Sequence, residues 1–291
     1  MRVFLTGGTG YVGRSVVPAL LRRGHAVTSL ARSEHSAAAL SEMGATAVRG
    51  ELSDAKILRS AAAASDGVIH LGASDGADAP AVDLAAAHAL QAGLDGRGTY
   101  VHTGGAWVYG DTHGVVDEDA PQNPPKVVAW RADNWRDVLA DVDRGGRPVL
   151  VMPGVAYGYR GHFTRAFFTE AGRANGAVPL IGDGSNRWPL IHVDDLAELY
   201  VSALDAAPGS VYAAVSDQNV PFADIVQALS VAVGHPGSIE RLTLDQAVER
   251  MGPVAEAFVL DQQITGARAR RELSWIPTHV DPLADLAAES A

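Results

Sequence analysis

Short apolar runs alternate with longer amphipathic stretches along the first half of the chain. Met1–Thr6 (MRVFLT) predicts a strand, and Ala26–Leu30, Thr46–Gly50, Asp66–Leu71 (DGVIHL), Thr99–Thr103 and Pro148–Met152 predict five more. Helical spacing fills the gaps: a first helix ends near Arg23, and others fall around Glu34–Met43, Asp54–Ala64, Ala81–Gln91 and Val128–Val142. Strands alternating with helices predict an α/β protein with a doubly wound parallel sheet covered on both faces. From about Tyr159 the alternation loosens. Phe163–Ala174 and Val193–Leu204 predict helices, the latter returning to the main domain. Pro221–Val233, Leu244–Arg250 and Ala255–Arg271 predict the helices of a small C-terminal α/β lobe. The expected organisation is a ligand-binding domain over residues 1–158 with a returning helix at about 192–206, and a substrate lobe over 159–191 and 207–291.

Composition narrows the picture. The 291 residues are 47% hydrophobic and 20% charged, with a net charge of -11, as in an ordinary folded chain. That balance, with no basic stripe, argues against nucleic acid or an anionic membrane as a partner. The absence of cysteine excludes disulfides, thiolate catalysis and thiolate-bound metals. No apolar run approaches the roughly 20 residues of a membrane span, and MRVFLTGG enters a strand at once, so a cytoplasmic protein is expected. The ten histidines are dispersed, without H-E-x-x-H spacing, and no metal site is expected.

The first chemistry lies in TGGTGYVGRSVVPALLRRGHAVTSLARS. Gly7, Gly10 and Gly13 sit between a strand and a helix, with a second strand following, which is the context of a dinucleotide-binding turn in a Rossmann-type sheet. Gly7 allows the tight turn, Gly10 lets the backbone approach a pyrophosphate, and Gly13 lets helix and strand pack closely. Thr9, Tyr11 and Val12 complete the turn, and the helix N-terminus supplies free N–H groups. At the end of the second strand an NAD-binding protein usually carries a carboxylate for the ribose 2′-hydroxyl; here stand Ala31, Arg32 and Ser33. A guanidinium and a hydroxyl suit a 2′-phosphate, so NADP(H) is the expected cofactor, with Arg14 as a second candidate cation.

TGGTGYVG, GELSD, DGVIHLGA, VHTGGAWVYG with VDEDAPQNPP, PGVAYGYRG, GDGSNRWPLIHVDDLA and ELSWIP follow one another in an order that resembles the short-chain dehydrogenase/reductase superfamily, in the extended form of nucleotide-sugar epimerases and dehydratases. The opening TGGTGYVGR and later ARS also resemble the NADP-preferring NmrA-like branch. The resemblance implies adenine contacts from Glu51 and Leu52, a cofactor-lining loop at Leu71, Gly72 and Ala73, and a nicotinamide wall at Pro153 to Val155. It implies a scaffold role for His192 to Asp195 and makes a homodimer an expectation.

The departures bear on mechanism. The superfamily uses a Ser or Thr and a Tyr-x-x-x-Lys. Aligned on VYG, the hydroxyl position is Gly105; the helix AWRADNWRDVL offers Trp130 for the tyrosine and Asn134 for the lysine. Trp has only an N–H donor and Asn does not titrate, so the usual acid–base pair is missing. Candidates to replace it are Thr103, on the same side of its strand as Gly105, Tyr109 and His113 on the following loop, and Asn134, with Asp111 behind them; Arg131 and Asn134 are also candidate contacts to the cofactor ribose or the substrate. Ser74, Gly105, Trp107, Trp130, Tyr157 and Trp188 are candidate substrate contacts, with Tyr109 and Tyr159 adding to an aromatic wall. The arginine that holds a sugar diphosphate in nucleotide-sugar enzymes is displaced to Arg187, with Trp188 at its place, which argues against such substrates.

Three functions stay open. The leading one is NADP(H)-dependent reduction of a carbonyl or activated double bond in a small, largely apolar or aromatic metabolite. The second is a redox-neutral epimerase, isomerase or lyase on the same fold. The third is a non-enzymatic NADP-binding sensor or partner protein.

Overall fold

The computed structural model describes residues 1–159, 161 and 164–289. Seven parallel strands form the large sheet: β1 (Arg2–Thr6), β2 (Ala26–Ala31), β3 (Thr46–Arg49), β4 (Gly67–His70), β5 (Thr99–Thr103), β6 (Pro148–Pro153) and β7 (Val211–Ala214). Their order is β7-β6-β5-β4-β1-β2-β3, so the chain reverses direction across the sheet between β1 and β4. Ligands of such sheets bind outside the carboxyl ends of the strands at that reversal.

Alternation along the strands divides the core. Val3 and Leu5 of β1 pack on one face with Val16, Val17 and Leu20 of α1 (Gly13–Arg22) and with Leu196, Leu199 and Tyr200 of the helix Val193–Ser202. Phe4 turns to the other face, against Leu58 of α3 (Ala55–Ala63), Leu90 of α4 (Ala79–Leu94) and Val138 of α5 (Ala129–Leu139). α2 (Glu34–Glu42) follows β2, and its Ser33 cap accepts a hydrogen bond from Ser36 N at 3.1 Å.

Three expectations change. The strand Val211–Ala214, assigned to the lobe, is the edge of the large sheet, because its backbone pairs with Leu150–Pro153 of β6. The helix expected over Ala255–Arg271 is broken into Ala255–Phe258, a strand Gln263–Ile264 and Ala267–Leu273. Long-range bonds outbid helical propensity there: the buried Gln262 amide donates to the Ala106 and Gly110 carbonyls, and Gln263–Ile264 pairs with Val115–Val116. The helix expected from Phe163 is a π-helical turn, Thr164–Thr169, running into Glu170–Asn175; Phe163 itself lies outside the described residues.

The lobe has its own core. Phe168, Trp188, Phe222 and Phe258 contact one another with ring centroids 4.5–5.8 Å apart. A three-stranded sheet of Val155–Tyr157, Arg187–His192 and Asn219–Pro221 joins this lobe to the end of β6. Among the described residues no helix is long and apolar enough to cross a membrane.

Candidate functional site

The turn after β1 is built by steric necessity. Gly7 has φ +76°, and Gly10 N donates to Gly7 O at 2.9 Å. A Cβ on Gly13 would collide with the Gly7 carbonyl oxygen and lie 2.7 Å from Gly8 Cα, so α1 packs this close only with hydrogen at position 13. No side chain caps the N-terminus of α1, which leaves its amide dipoles for an anion. A cavity of about 370 Å³ opens over this turn, lined by Gly7, Thr9, Gly10, Tyr11, Val12 and Gly13, and by Leu30, Arg32, Ser36, Leu52, Leu71, Gly72 and Ala73. Backbone amides at the turn, apolar Leu30 and Leu52 on the adenine side and a guanidinium at the end of β2 fit a dinucleotide.

Two expected cofactor residues lie differently. Ser33 spends its hydroxyl capping α2, and Ser36, one turn on, is the hydroxyl that lines the cavity beside Arg32. Glu51 is exposed and absent from the lining, its amide held by Asp54 Oδ2 at 2.8 Å; Leu52 is the lining residue of that pair. Arg14 folds back on the turn, donating to Thr9 O at 3.1 Å.

A second cavity, about 240 Å³ and mainly apolar, shares Tyr11 and Val12 with the first. Thr103, Gly104, Gly105, Ala106, Trp107, Val128, Arg131, Pro153, Gly154, Val155, Ala156 and Leu196 complete its wall. It therefore brings together Gly105, Trp107, Thr103, Pro153 and Val155 from the sequence reading. A smaller hollow of about 90 Å³ adjoins it, lined by His70, Leu71, Gly72, Ala73, Ser74, Ala79, Asp83, Thr103, Gly104, Trp130 and Arg131. A groove of about 890 Å³ along the flank of α1 is larger and shares Thr9 and Tyr11 with the turn, but its Arg22 and Glu198 pair with each other.

The expected proton donors fare poorly. Tyr109 is buried; its hydroxyl donates to Glu118 O at 3.1 Å and burial pushes its pKa up, so it is a packing residue outside the cavities. His113 is exposed on a loop at φ +51° and lines no cavity named above. Asp111 accepts from Asp261 N at 2.8 Å and serves to clasp two loops. Thr103 lines the cavity, but its hydroxyl donates to His70 O at 2.7 Å and accepts from the buried Tyr200 hydroxyl at 2.9 Å, so its proton is committed to the backbone. Asn134 turns away, donating to Pro80 O and Asp83 Oδ2, both at 2.9 Å. Tyr157 and Trp188 are lobe core rather than substrate wall: Tyr157 donates to Asp285 and Trp188 Nε1 to Phe258 O. Exposed Tyr159 bonds Asp194.

Arg131 is the charged residue common to both inner cavities, which also share Thr103. Its guanidinium lies 4.4 Å over the Trp130 ring, and among the described residues no carboxylate or hydrogen-bond partner holds it. Burial pushes its pKa below the usual arginine value, with the Asp83 charge opposing that shift. Asp83 itself lies beneath, with His70 and His102. Burial works to raise the Asp83 carboxyl, but the neighbouring imidazoles and the Asn134 amide outweigh it and hold it at about 2. Burial drives His102 down to about 3, so this ring is neutral at physiological pH. No motif in the sequence marks Tyr200, His70, Asp83 or His102; the signal it carries is a histidine at a core-facing position on each of two buried strands.

The model of the NAD dependent epimerase/dehydratase family matches residues 3–214. The chain belongs to that family. An uncharacterized protein of Schizosaccharomyces pombe is 28% identical over 296 residues, covering all of this chain and 99% of that one. The 2-alkyl-3-oxoalkanoate reductase of Stenotrophomonas maltophilia is 28% identical over 278 residues, covering 88% of this chain and 82% of that one. The solved structure of human epimerase family protein SDR39U1 with NADPH superimposes with TM-score 0.78 at 21% identity, over 100% of this chain and 99% of that chain. Family and fold match the extended short-chain dehydrogenase/reductase expectation, and a nicotinamide dinucleotide is the cofactor of this family.

Proposed function

We propose that this protein is an NADP(H)-dependent reductase of a carbonyl, or an activated double bond, in a small and largely apolar metabolite. The observation that carries this reading is the apolar cavity that continues directly from the glycine-turn cavity and contains one guanidinium that, among the described residues, has no carboxylate partner and rests on the Trp130 ring. A reduced nicotinamide bound there would supply hydride; the protein has to hold the acceptor beside it. Gly7, Gly10 and Gly13 with the α1 N-terminus would hold the pyrophosphate, and Arg32 with Ser36 a 2′-phosphate. NADP is favoured by Ala31, which leaves the end of β2 without a carboxylate to repel that phosphate, and a solved relative carries NADPH.

Trp107, Val155 and Leu196 exclude water around the substrate, and Gly105 leaves room for it. Arg131 orients the substrate oxygen and stabilises negative charge developing on it, as a fixed charge in a poorly solvated pocket. It remains protonated, so the proton for that oxygen comes from water. Thr103 and Tyr200 keep the end of β5 rigid rather than deliver protons. A substrate with an apolar alkyl chain and a ketone near a carboxylate, such as a 3-oxoalkanoate, the type named for the Stenotrophomonas relative, suits an apolar wall with one guanidinium.

The test is NADPH consumption with a panel of 3-oxo acids, 3-oxo esters and aromatic ketones. Turnover with stoichiometric alcohol formation is expected. Binding of NADPH with conversion of substrate but no net consumption would instead establish a redox-neutral reaction.

A further inference from the structure

Parallel register places three polar side chains side by side at the core. Thr6 of β1 pairs with His70 of β4, which pairs with His102 of β5. All three share the sheet face covered by α4 and α5, because each follows by two residues a side chain of that face: Phe4, Val68 and Tyr100. Asp83 comes down onto them from α4.

Both imidazoles are almost fully buried, at 1% and 0% exposure. Their Nδ1 atoms are engaged: His70 with Thr6 Oγ1 at 2.6 Å, His102 with the Tyr100 hydroxyl at 2.8 Å. Their Nε2 atoms are buried and have no hydrogen-bond partner among the described residues. Asp83 Oδ1 lies 3.6 Å from His70 Nε2, and Oδ2 lies 3.7 Å from His102 Nε2. These separations are too long for hydrogen bonds. They are close to the roughly 3.4 Å between two ligands on a tetrahedral ion with bonds of about 2.0–2.1 Å. All three ligand atoms lie within 4.8 Å of one another.

We propose that His70, His102 and Asp83 form a three-ligand site for a divalent cation of the zinc class, open to the small cavity beneath Ser74 and Arg131. Two imidazoles and a carboxylate, without thiolate, are a donor set that zinc accepts with a fourth position left free. The surroundings already orient the ligands. Thr6 Oγ1 and the Tyr100 hydroxyl can each accept an Nδ1–H, which turns the Nε2 lone pairs inward, and Asn134 donates to Asp83 Oδ2. The 90 Å³ hollow is lined by His70, Asp83 and Arg131, so an oxygen ligand can reach the free position. With the ion and the guanidinium facing one hollow, that ligand is an oxyanion. The sequence concealed the set, since its members lie on β4, α4 and β5 and meet only through sheet register.

A second group, His192, Asp194 and His279, is the control. There the Nδ1 atoms are the ones taken up, His192 Nδ1 accepting from Asp194 N and His279 Nδ1 facing Asp195, and the two rings stack face to face with centroids 3.5 Å apart instead of converging on one point.

The site is independent of the reductase reading and is tested without cofactor or substrate. The full chain is stripped with a chelator and titrated with Zn²⁺ by calorimetry, and with Co²⁺ by visible absorption. One equivalent is expected to bind tightly, raise the melting temperature and give the intense absorption of four-coordinate Co²⁺. Asp83→Asn and His102→Gln, each checked for folding by circular dichroism, are expected to lose this binding. Asn134→Ala should weaken it by roughly 10- to 100-fold, as removal of an orienting partner does. His279→Ala should leave it unchanged. Failure of the wild type to bind an equivalent overturns the proposal even if no variant folds. Binding that survives both ligand variants, or disappears in His279→Ala, marks an adventitious ion only and overturns it as well.

Discussion

Gly105 stands where the superfamily resemblance puts a catalytic hydroxyl, and it and its neighbour Gly104 have opposite reasons to be glycine. A Cβ on Gly104 would lie 3.0 Å from Trp135 Cζ2 and 3.3 Å from Met152 Cγ. Both neighbours are buried and cannot yield without disturbing the core. Overpacking of this kind costs about 1–3 kcal/mol. A Cβ on Gly105 would meet nothing within 4 Å, and its φ of 177° is extended backbone open to any residue. Alanine there restricts the unfolded chain and should stabilise by about 0.4–1 kcal/mol. Gly104→Ala and Gly105→Ala are therefore expected to differ in unfolding free energy by roughly 1.4–4 kcal/mol. The assay is urea unfolding, with the denaturant slope checked for equality so that a shift in midpoint reports stability alone. Equal losses in the two variants, or a larger loss at Gly105, would refute the claim that position 105 faces open space. Gly105→Leu extends the test to function: it should exclude larger substrates while leaving NADPH affinity in place.

Gly13→Ala should abolish nucleotide binding in a calorimetric titration, because the new Cβ drives α1 off the Gly7 carbonyl; undiminished affinity would detach the turn from the cofactor. Arg32→Ala should lower the NADPH/NADH affinity ratio by about tenfold, the worth of one exposed charge-assisted bond. Arg131→Met should raise KM for substrate by about tenfold or more while raising the melting temperature, since it removes a half-buried charge that has no carboxylate partner among the described residues; unchanged kinetics would remove Arg131 from the site. Burial raises the Glu118 pKa, although Oε1 accepts from Ala213 N and Oε2 lies 3.4 Å from Arg268. A carboxyl raised in the fold gives stability that is complete below its unfolded pKa and is lost as pH rises through its folded pKa. Glu118→Gln is therefore expected to gain on the wild type as pH rises from 4.5 towards 8, read as unfolding free energy across that range.

The nucleotide half of this protein was legible in its sequence for a physical reason. A tight turn, a close helix–strand approach and a strand end without a carboxylate are local requirements. They act over a few residues and leave glycines at fixed spacing and Ala31–Arg32 in place. The strand–helix alternation is equally local, since period and run length show which face each residue buries. Lobe boundaries and side-chain roles were not local. Val211–Ala214 joined the large sheet because β6 offered an unpaired edge, and Gln262 broke an expected helix by reaching Ala106. Ser36 displaced Ser33 at the cavity because a helix cap had first claim on the nearer hydroxyl. Tyr109, Tyr157 and Trp188 looked like site residues, but burial and hydrogen-bond demand drew them into the core. Only the register of two parallel strands brings His70 to His102, and only the packing of α4 sets Asp83 against both. Residues that distant in sequence meet through the sum of all packing terms, and no spacing along the chain records that sum.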